Sequence, residues 1–206
     1  MGEFEAWSAG ARALLREQGV DGAGPFLLVS LGTGTSVLRV EGGAAARVGG
    51  TALGGGTIDG LGAALTGLTR FEELAALAAA GDRAKVDLLV SDVYPQGLSE
   101  LPGAALAASF GKLARLVAAG ERAEARDLAC ALMSLVGENV ALLCNAIAAR
   151  EGVRRIVFGG SALVANPALA RWLVALTLAF GREPVVLAQP AHAGAIGALL
   201  AAERTG

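Results

Sequence analysis

Two cysteines and one histidine are all that the chain offers in the way of soft metal ligands. Cys130 and Cys144 fall in one helical stretch, about 20 Å apart at ~1.5 Å per residue, which is beyond disulfide reach. A Cys/His metal cage is excluded, and both thiols are expected to be buried and neutral. Charge is sparse too: 17% of residues are charged, the net charge is −2, and no basic run exceeds Arg154-Arg155. Nothing there marks nucleic acid or an acidic membrane surface as a partner. Long apolar runs are missing, since Trp172–Phe180 and Ala193–Ala202 stop well short of the ~20 residues a bilayer crossing needs. The opening MGEFEAWSAG holds acids where an export signal would hold bases, so cytoplasmic residence is expected. The partner that remains is a small molecule.

What the chain has in quantity is glycine, 30 of 206 residues, and it is concentrated in turns. The run RVGGTALGGGTIDGLG at 47–62 and the shorter GTGTS at 32–36 both follow strand-like segments. Such density permits positive φ and lets a ligand approach the amides with no Cβ in the way. In Gly54-Gly55-Gly56-Thr57 the glycines end where a helical pattern begins (Ile58, Leu61, Leu65). Free N–H groups and the positive end of a helix dipole are therefore expected to face the turn, a setting for phosphate. No Lys follows the glycines, which rules out a Walker-type loop. Plain turn and helix-start chemistry is the alternative use of either run.

Around these turns the pattern predicts a helix over Glu3–Arg16, strands at Phe26–Leu31, Thr35–Val40 and Ala45–Val48, and helices at Thr57–Thr66, Phe71–Ala80 and Arg83–Val90. A loop around Tyr94–Gly103 follows, then a long helix Arg122–Arg150. Strand Arg154–Phe158, helix Pro167–Phe180, strand Pro184–Leu187 and helix Ala193–Ala202 close the chain. In a single sheet this order makes three antiparallel strands joined through crossover helices to two parallel ones.

With GTGTS at 32–36, RVGGTALGGGTIDGLG at 47–62 and IVFGGSALVANP at 156–167 in this order, the chain resembles the type II (eukaryotic-like) pantothenate kinases of the actin and sugar kinase superfamily. LVSDVYP, LPG, ASFGK, VGENVA and GAIGALL add to the likeness, which covers essentially the whole chain. The spacing from GTGTS through Arg47 to GGGT fits this branch better than a glucokinase-like one. The resemblance implies an α/β fold: a ribonuclease H-like (actin-like ATPase) lobe with a mixed five-stranded sheet and flanking helices. It further implies ATP-dependent phosphorylation of pantothenate, the entry step of coenzyme A synthesis, with ATP and Mg²⁺, by a homodimer. Members resembling this chain begin with another lobe that carries an Asp-x-Gly-Gly-Thr phosphate loop, and the sequence opens instead at EFEA. Residues 1–22 are accordingly expected to be a remnant of the first lobe and an interlobe helix, and 23–206 the C-terminal kinase lobe. On that expectation activity is doubtful, and the alternative is a nucleotide or acyl-CoA binding module without activity.

Carried over position by position, Glu3 matches the general base, with Glu5 as the fallback. Either could instead be an acid favoured by a helix start. Arg47 matches a group holding the substrate carboxylate or the transferring phosphoryl, assisted by Ser36. Thr33 and the segment Gly55, Gly56, Thr57, Ile58 and Asp59 match nucleotide phosphate contacts. Asp59 could reach Mg²⁺ through water or be an ordinary first-turn acid. Phe71 and Ser161 match positions near adenosine, with a core aromatic as the other reading of Phe71. His192 caps the last helix or approaches a ligand, and Glu138 and Asn139 face either a dimer interface or solvent.

Overall fold

The computed structural model describes residues 2–97 and 102–203. Its contacts divide the chain into two compact units, residues 1–57 with 136–206, and residues 58–135.

The first unit opens with helix α1, Glu3–Glu17, which has acids in its first turn and Arg16 in its last, as the helix dipole favours. Strands β1 (Phe26–Leu31), β2 (Thr35–Glu41) and β3 (Ala44–Thr51) form an antiparallel meander. After helices α2 (Gly55–Thr66) and α6 (Ala125–Glu151), which carry the chain out of this unit and back, come β6 (Arg155–Gly159), α7 (Pro167–Ala179), β7 (Glu183–Val186) and α8 (Ala193–Glu203). The five strands make one sheet in the order β3-β2-β1-β6-β7. β6 runs parallel to β1, with Leu28 beside Val157, and β7 runs parallel to β6. This is the mixed sheet that the order of elements predicts. β3 is longer than expected, and Arg47 sits within it rather than at its end.

Alternation along β1, β2 and β6 turns Phe26, Leu28, Leu38, Val40 and Val157 toward one face, where Leu14 and Leu15 of α1 bury fully against them. Each such side chain contributes about 2 kcal/mol by leaving water. α1 also packs on α8 so closely that a Cβ added at Gly10 would lie 1.7 Å from the Ala193 carbonyl oxygen, and one at Gly197 1.8 Å from that of Ala6. Trp7, near the start of the chain, thus finds its partners far along the sequence, its indole lying against Gly159 and Gly194.

In the second unit α3 (Phe71–Ala79) is followed by a single 3₁₀ turn, Arg83–Lys85, the two-residue strand β4 (Leu88–Leu89) and α4 (Val90–Val93). The helix expected over Arg83–Val90 does not form. Val86 and Asp87 are buried, the Val86 carbonyl accepts from the Lys112 amide, and Asp87 Oδ1 accepts from the Phe110 amide at 2.8 Å. These long-range bonds flank the antiparallel pairing of β4 with β5 (Leu106–Ala108), and together they override local helical preference. α5 (Leu113–Ala118) follows. Of the loop expected around Tyr94–Gly103, residues 98–101 lie outside the described residues. Leu128 and Ala131 of α6 complete this unit's small core with Val86, Leu65, Phe110 and Leu113.

α6 is long and apolar enough to cross a bilayer, but 67% of its most apolar window is buried inside the protein, as in a core helix. Both cysteines lie on it, buried and outside any disulfide. Glu138 is 9% exposed while Asn139 faces solvent, so the two neighbours are not used alike.

Candidate active site

β1 and β6 are parallel neighbours, and the turns that follow them, Gly32–Gly34 and Gly160–Ser161, leave the sheet at the same carboxyl edge. In open α/β sheets that edge is where ligands bind. The start of α2 joins them. The amide of Gly55 donates to the Gly32 carbonyl at 2.7 Å and that of Gly56 to the Thr33 carbonyl at 2.9 Å. The Thr35 hydroxyl, on a residue 3% exposed, donates to the Leu53 carbonyl at 2.7 Å, and the Thr57 hydroxyl to the Ala52 carbonyl at 3.2 Å.

These bonds change the meaning of the glycines. A Cβ at Gly54 would stand 2.7 Å from the Gly34 backbone, and one at Gly55 2.9 Å from the Gly32 oxygen and 3.5 Å from Ala162. Close approach of one turn to another is what requires glycine here. The expectation of free amides at the α2 start fails for Gly55 and Gly56, whose N–H groups are spent on loop carbonyls. The positive end of the α2 dipole and the hydroxyls of Thr33, Thr57 and Ser161 remain on the cluster. Thr33 and Ser161 are exposed, and Thr57 is half-buried. Gly160, at φ 110°, donates to the Pro190 carbonyl at 2.6 Å and presses on the end of β1, where a Cβ would be 2.2 Å from the Leu31 oxygen.

Ser36 and Arg47 sit together on the meander. Ser36 pairs with Gly50, and a bulge opposite Val37 and Leu38 puts Arg47 opposite Leu38. By the two-residue period of a strand, Ser36, Leu38, Arg47 and Gly50 share one face. A Cβ at Gly50 would lie 2.6 Å from Arg47 Nη2, so the guanidinium lies across Gly50 toward Ser36. It is the face on which α1 packs. Trp7 lies against Gly159, the last residue of β6, so the start of α1 with Glu3 and Glu5 is at the carboxyl edge. The two acids differ. Glu5 Oε2 accepts from the Gly2 amide at 3.0 Å and caps the helix, whereas Glu3 is exposed in the first turn.

The first unit therefore gathers Thr33, Gly55, Gly56, Thr57 and Ser161 in one cluster, and sets Ser36, Arg47 and Glu3 on the adjoining sheet face and helix start. Ile58, fully buried, and Asp59, exposed, continue α2, and half-buried Phe71 begins α3; these three belong to the second unit. Among the described residues no three His, Cys, Asp or Glu side chains gather as a metal site. His192 is exposed, and its carbonyl accepts the Ile196 amide in the first turn of α8. Sequence reasoning missed the Thr35 clamp and the contact of Ala162 with Gly55. Only the hydroxyl in a strand-start position hinted at the first, and nothing local signals the second.

A family model, Fumble, matches residues 9–201. The chain belongs to this family, the type II pantothenate kinases. It is 36% identical over 200 residues, 97% of its length and 71% of the relative's, to a type II pantothenate kinase of Bacillus cereus (strain ATCC 10987 / NRS 248). It is 35% identical over 198 residues, 96% of its length and 72% of the relative's, to that of Oceanobacillus iheyensis. Among solved structures it is similar to the activator of the 2-hydroxyisocaproyl-CoA dehydratase from Clostridium difficile with bound ADPNP, at a TM-score of 0.62 and 17% identity, covering 100% of this chain and 67% of that one. An archaeal actin homologue matches at a TM-score of 0.53 and 14% identity, covering 97% of this chain and 54% of the other. At such identities the two structures speak to fold alone, and the fold is that of the actin-like ATPases.

Proposed function

We propose that the chain is an ATP-dependent kinase that phosphorylates pantothenate to 4'-phosphopantothenate, the first step of coenzyme A synthesis. The observation that carries this reading is the 36% identity to a type II pantothenate kinase across nearly the whole chain. The juxtaposition of three turns at the carboxyl edge of β1 and β6 with Ser36, Arg47 and Glu3 beside them supports it. In this reading Thr33, Thr57 and Ser161 contact the nucleotide, and Gly55 and Gly56 hold the turn that presents them.

Glu3 takes the proton of the pantothenate primary hydroxyl as its oxygen bonds to the γ-phosphorus of ATP. The bond from that phosphorus to the β,γ-bridging oxygen breaks, and ADP leaves. Arg47, preset across Gly50, stabilises the charge on the transferring group or holds the substrate carboxylate, with Ser36 beside it. Transfer of this kind depends on positioning and charge stabilisation more than on covalent help. Mg²⁺ ordinarily binds through one or two carboxylates plus the phosphates themselves. We place the enzyme in the cytoplasm as a homodimer, with exposed Asn139 and Leu142 of α6 as surface for the second copy.

The test is incubation of the purified chain with labelled ATP, Mg²⁺ and pantothenate. Label appearing in 4'-phosphopantothenate is the expected result. ATP binding with no transfer would overturn the kinase reading in favour of a nucleotide-binding module.

A further inference from the structure

Away from the turn cluster, a cavity of about 450 Å³ opens on the flank of α1, lined by Ser8, Arg12 and Arg16, the β2–β3 turn at Gly43, and Glu203 of α8. A smaller one of about 250 Å³ shares Arg12 and Arg16 and ends at Asp21 and Gly22. Ser8, Arg12 and Arg16 are spaced four apart, so they stack on one side of the helix.

Arg12 is held in place without using its binding edge. Its Nη1 donates to the Gly22 carbonyl, and its guanidinium lies over the Phe26 ring at 5.4 Å. Nε and Nη2 are buried and without a hydrogen-bond partner. Those two nitrogens form one edge of the planar group, and their parallel N–H bonds match the two oxygens of a carboxylate. One helical turn before it, Ser8 is 1% exposed, and its Oγ is likewise buried without a partner. Interiors rarely leave such donors unmet, so each calls for an acceptor. Arg16 is exposed and adds a second positive charge. Glu203 removes one, which leaves the lining with a net charge of +1 from two arginines and one carboxylate.

We propose that this cavity binds the carboxylate of a small organic monoanion. It lies side-on against Arg12 Nε and Nη2 and accepts a third hydrogen bond from Ser8 Oγ. Arg16 adds attraction, and the net charge favours one negative charge over two. The bound group ties α1 to the β2–β3 turn. Since α1 begins at Glu3 and the meander carries Ser36 and Arg47, the site steadies both supports of the candidate active site without belonging to it.

The experiment titrates the full chain with sodium propanoate and follows backbone amides and arginine Nε–H groups by ¹H–¹⁵N NMR, with sodium chloride at matched ionic strength as the control. Saturable shifts at Ser8, Arg12, Arg16 and Gly43 are expected, with Kd on the order of 1 mM. Ser8→Ala should weaken binding about 5-fold, the worth of one hydrogen bond. Arg12→Lys, which keeps charge and loses the fork, should weaken it about 10-fold or more. Glu203→Gln should tighten it. Should Arg12→Lys disturb the fold, Ser8→Ala and Glu203→Gln still decide, since among the described residues neither side chain bridges elements through a hydrogen bond. Equal shifts with chloride, no saturation well past the millimolar range, or Ser8→Ala and Glu203→Gln both binding as the parent does would overturn the proposal.

Discussion

Glu3 and Glu5 stand two positions apart, and the difference between them is made by a single bond. Glu5 is committed to the Gly2 amide at 3.0 Å, while the carboxylate of Glu3 is exposed at the same helix start. Glu5→Gln should therefore cost about 0.5 kcal/mol of stability and little turnover. Glu3→Gln should lower kcat about 100-fold with ATP affinity unchanged, because a general base acts on the acceptor hydroxyl. Steady-state kinetics beside nucleotide titration separates the two, and full turnover in Glu3→Gln would return Glu3 to a plain helix-start acid. A second residue carries a pH dependence. Burial pushes the Cys144 thiol from 9.0 up to about 12. A raised folded value means that stability is complete below the unfolded value and is lost as pH rises from there through the folded one. Between pH 9 and 12 the loss is on the order of 1 kcal/mol per unit, and denaturant titrations of Cys144→Ala should show a flatter alkaline limb. Alkylation of native protein at neutral pH should spare this thiol.

At the scale of elements, the glycines give the clearest lesson about what a sequence reveals. Their density at 47–62 correctly marks a special backbone, but one glycine can serve ligand access or contact between turns, and spacing alone does not say which. At Gly54 and Gly55 the contact wins, since a side chain there would strike Gly34 and Gly32. The strands were legible because their signals are local, a continuous apolar run in Phe26–Leu31 and a near-alternating pattern in Thr35–Glu41. The strand pairing at Leu88–Leu89 was not, because it is set beside Lys112 and Phe110 reaching back to Val86 and Asp87. Nor was the crossing of α1 and α8, set by Gly10 and Gly197, nearly the whole chain apart. Ala at either position must push two helix backbones apart and should cost about 3 kcal/mol, the upper range for overpacking, measured by chemical denaturation. An unchanged midpoint in Gly10→Ala would contradict the crossing. In the second unit Asp92 ties its own helix start to α5: it accepts from Lys112 Nζ at 2.7 Å and from the Leu89 amide at 2.7 Å. The Lys112 bond, then the Leu89 bond, holds its carboxyl below 3.8. A lowered value places this stabilisation above the unfolded pKa and removes it as pH falls through the folded one, so Asp92→Asn should blunt the acid-side loss below pH 4.

Taken as a whole molecule, the chain separates what builds the turn cluster from what stands beside it, and that separation can be tested in turnover. Gly54 supports the cluster through backbone contact with Gly34, while Arg47 lies exposed across Gly50 on the neighbouring sheet face. In the proposed kinase, Gly54→Ala must shift the β1–β2 turn or the start of α2. It should lower both stability and ATP affinity, since misplaced phosphates forfeit the positioning on which transfer depends. Arg47→Ala removes no packing contact that the core needs. It should leave the unfolding midpoint and ATP affinity near the parent's and reduce kcat/KM for pantothenate about 100-fold or more. The measurements are thermal unfolding, ATP titration and pantothenate phosphorylation on the same three proteins. If Arg47→Ala loses ATP affinity and keeps its turnover at saturating ATP, the guanidinium belongs to nucleotide binding and the assignment to substrate or transferring phosphoryl fails. If Gly54→Ala binds ATP as the parent does, the turn cluster is scaffold only, and the nucleotide must be sought elsewhere on the molecule.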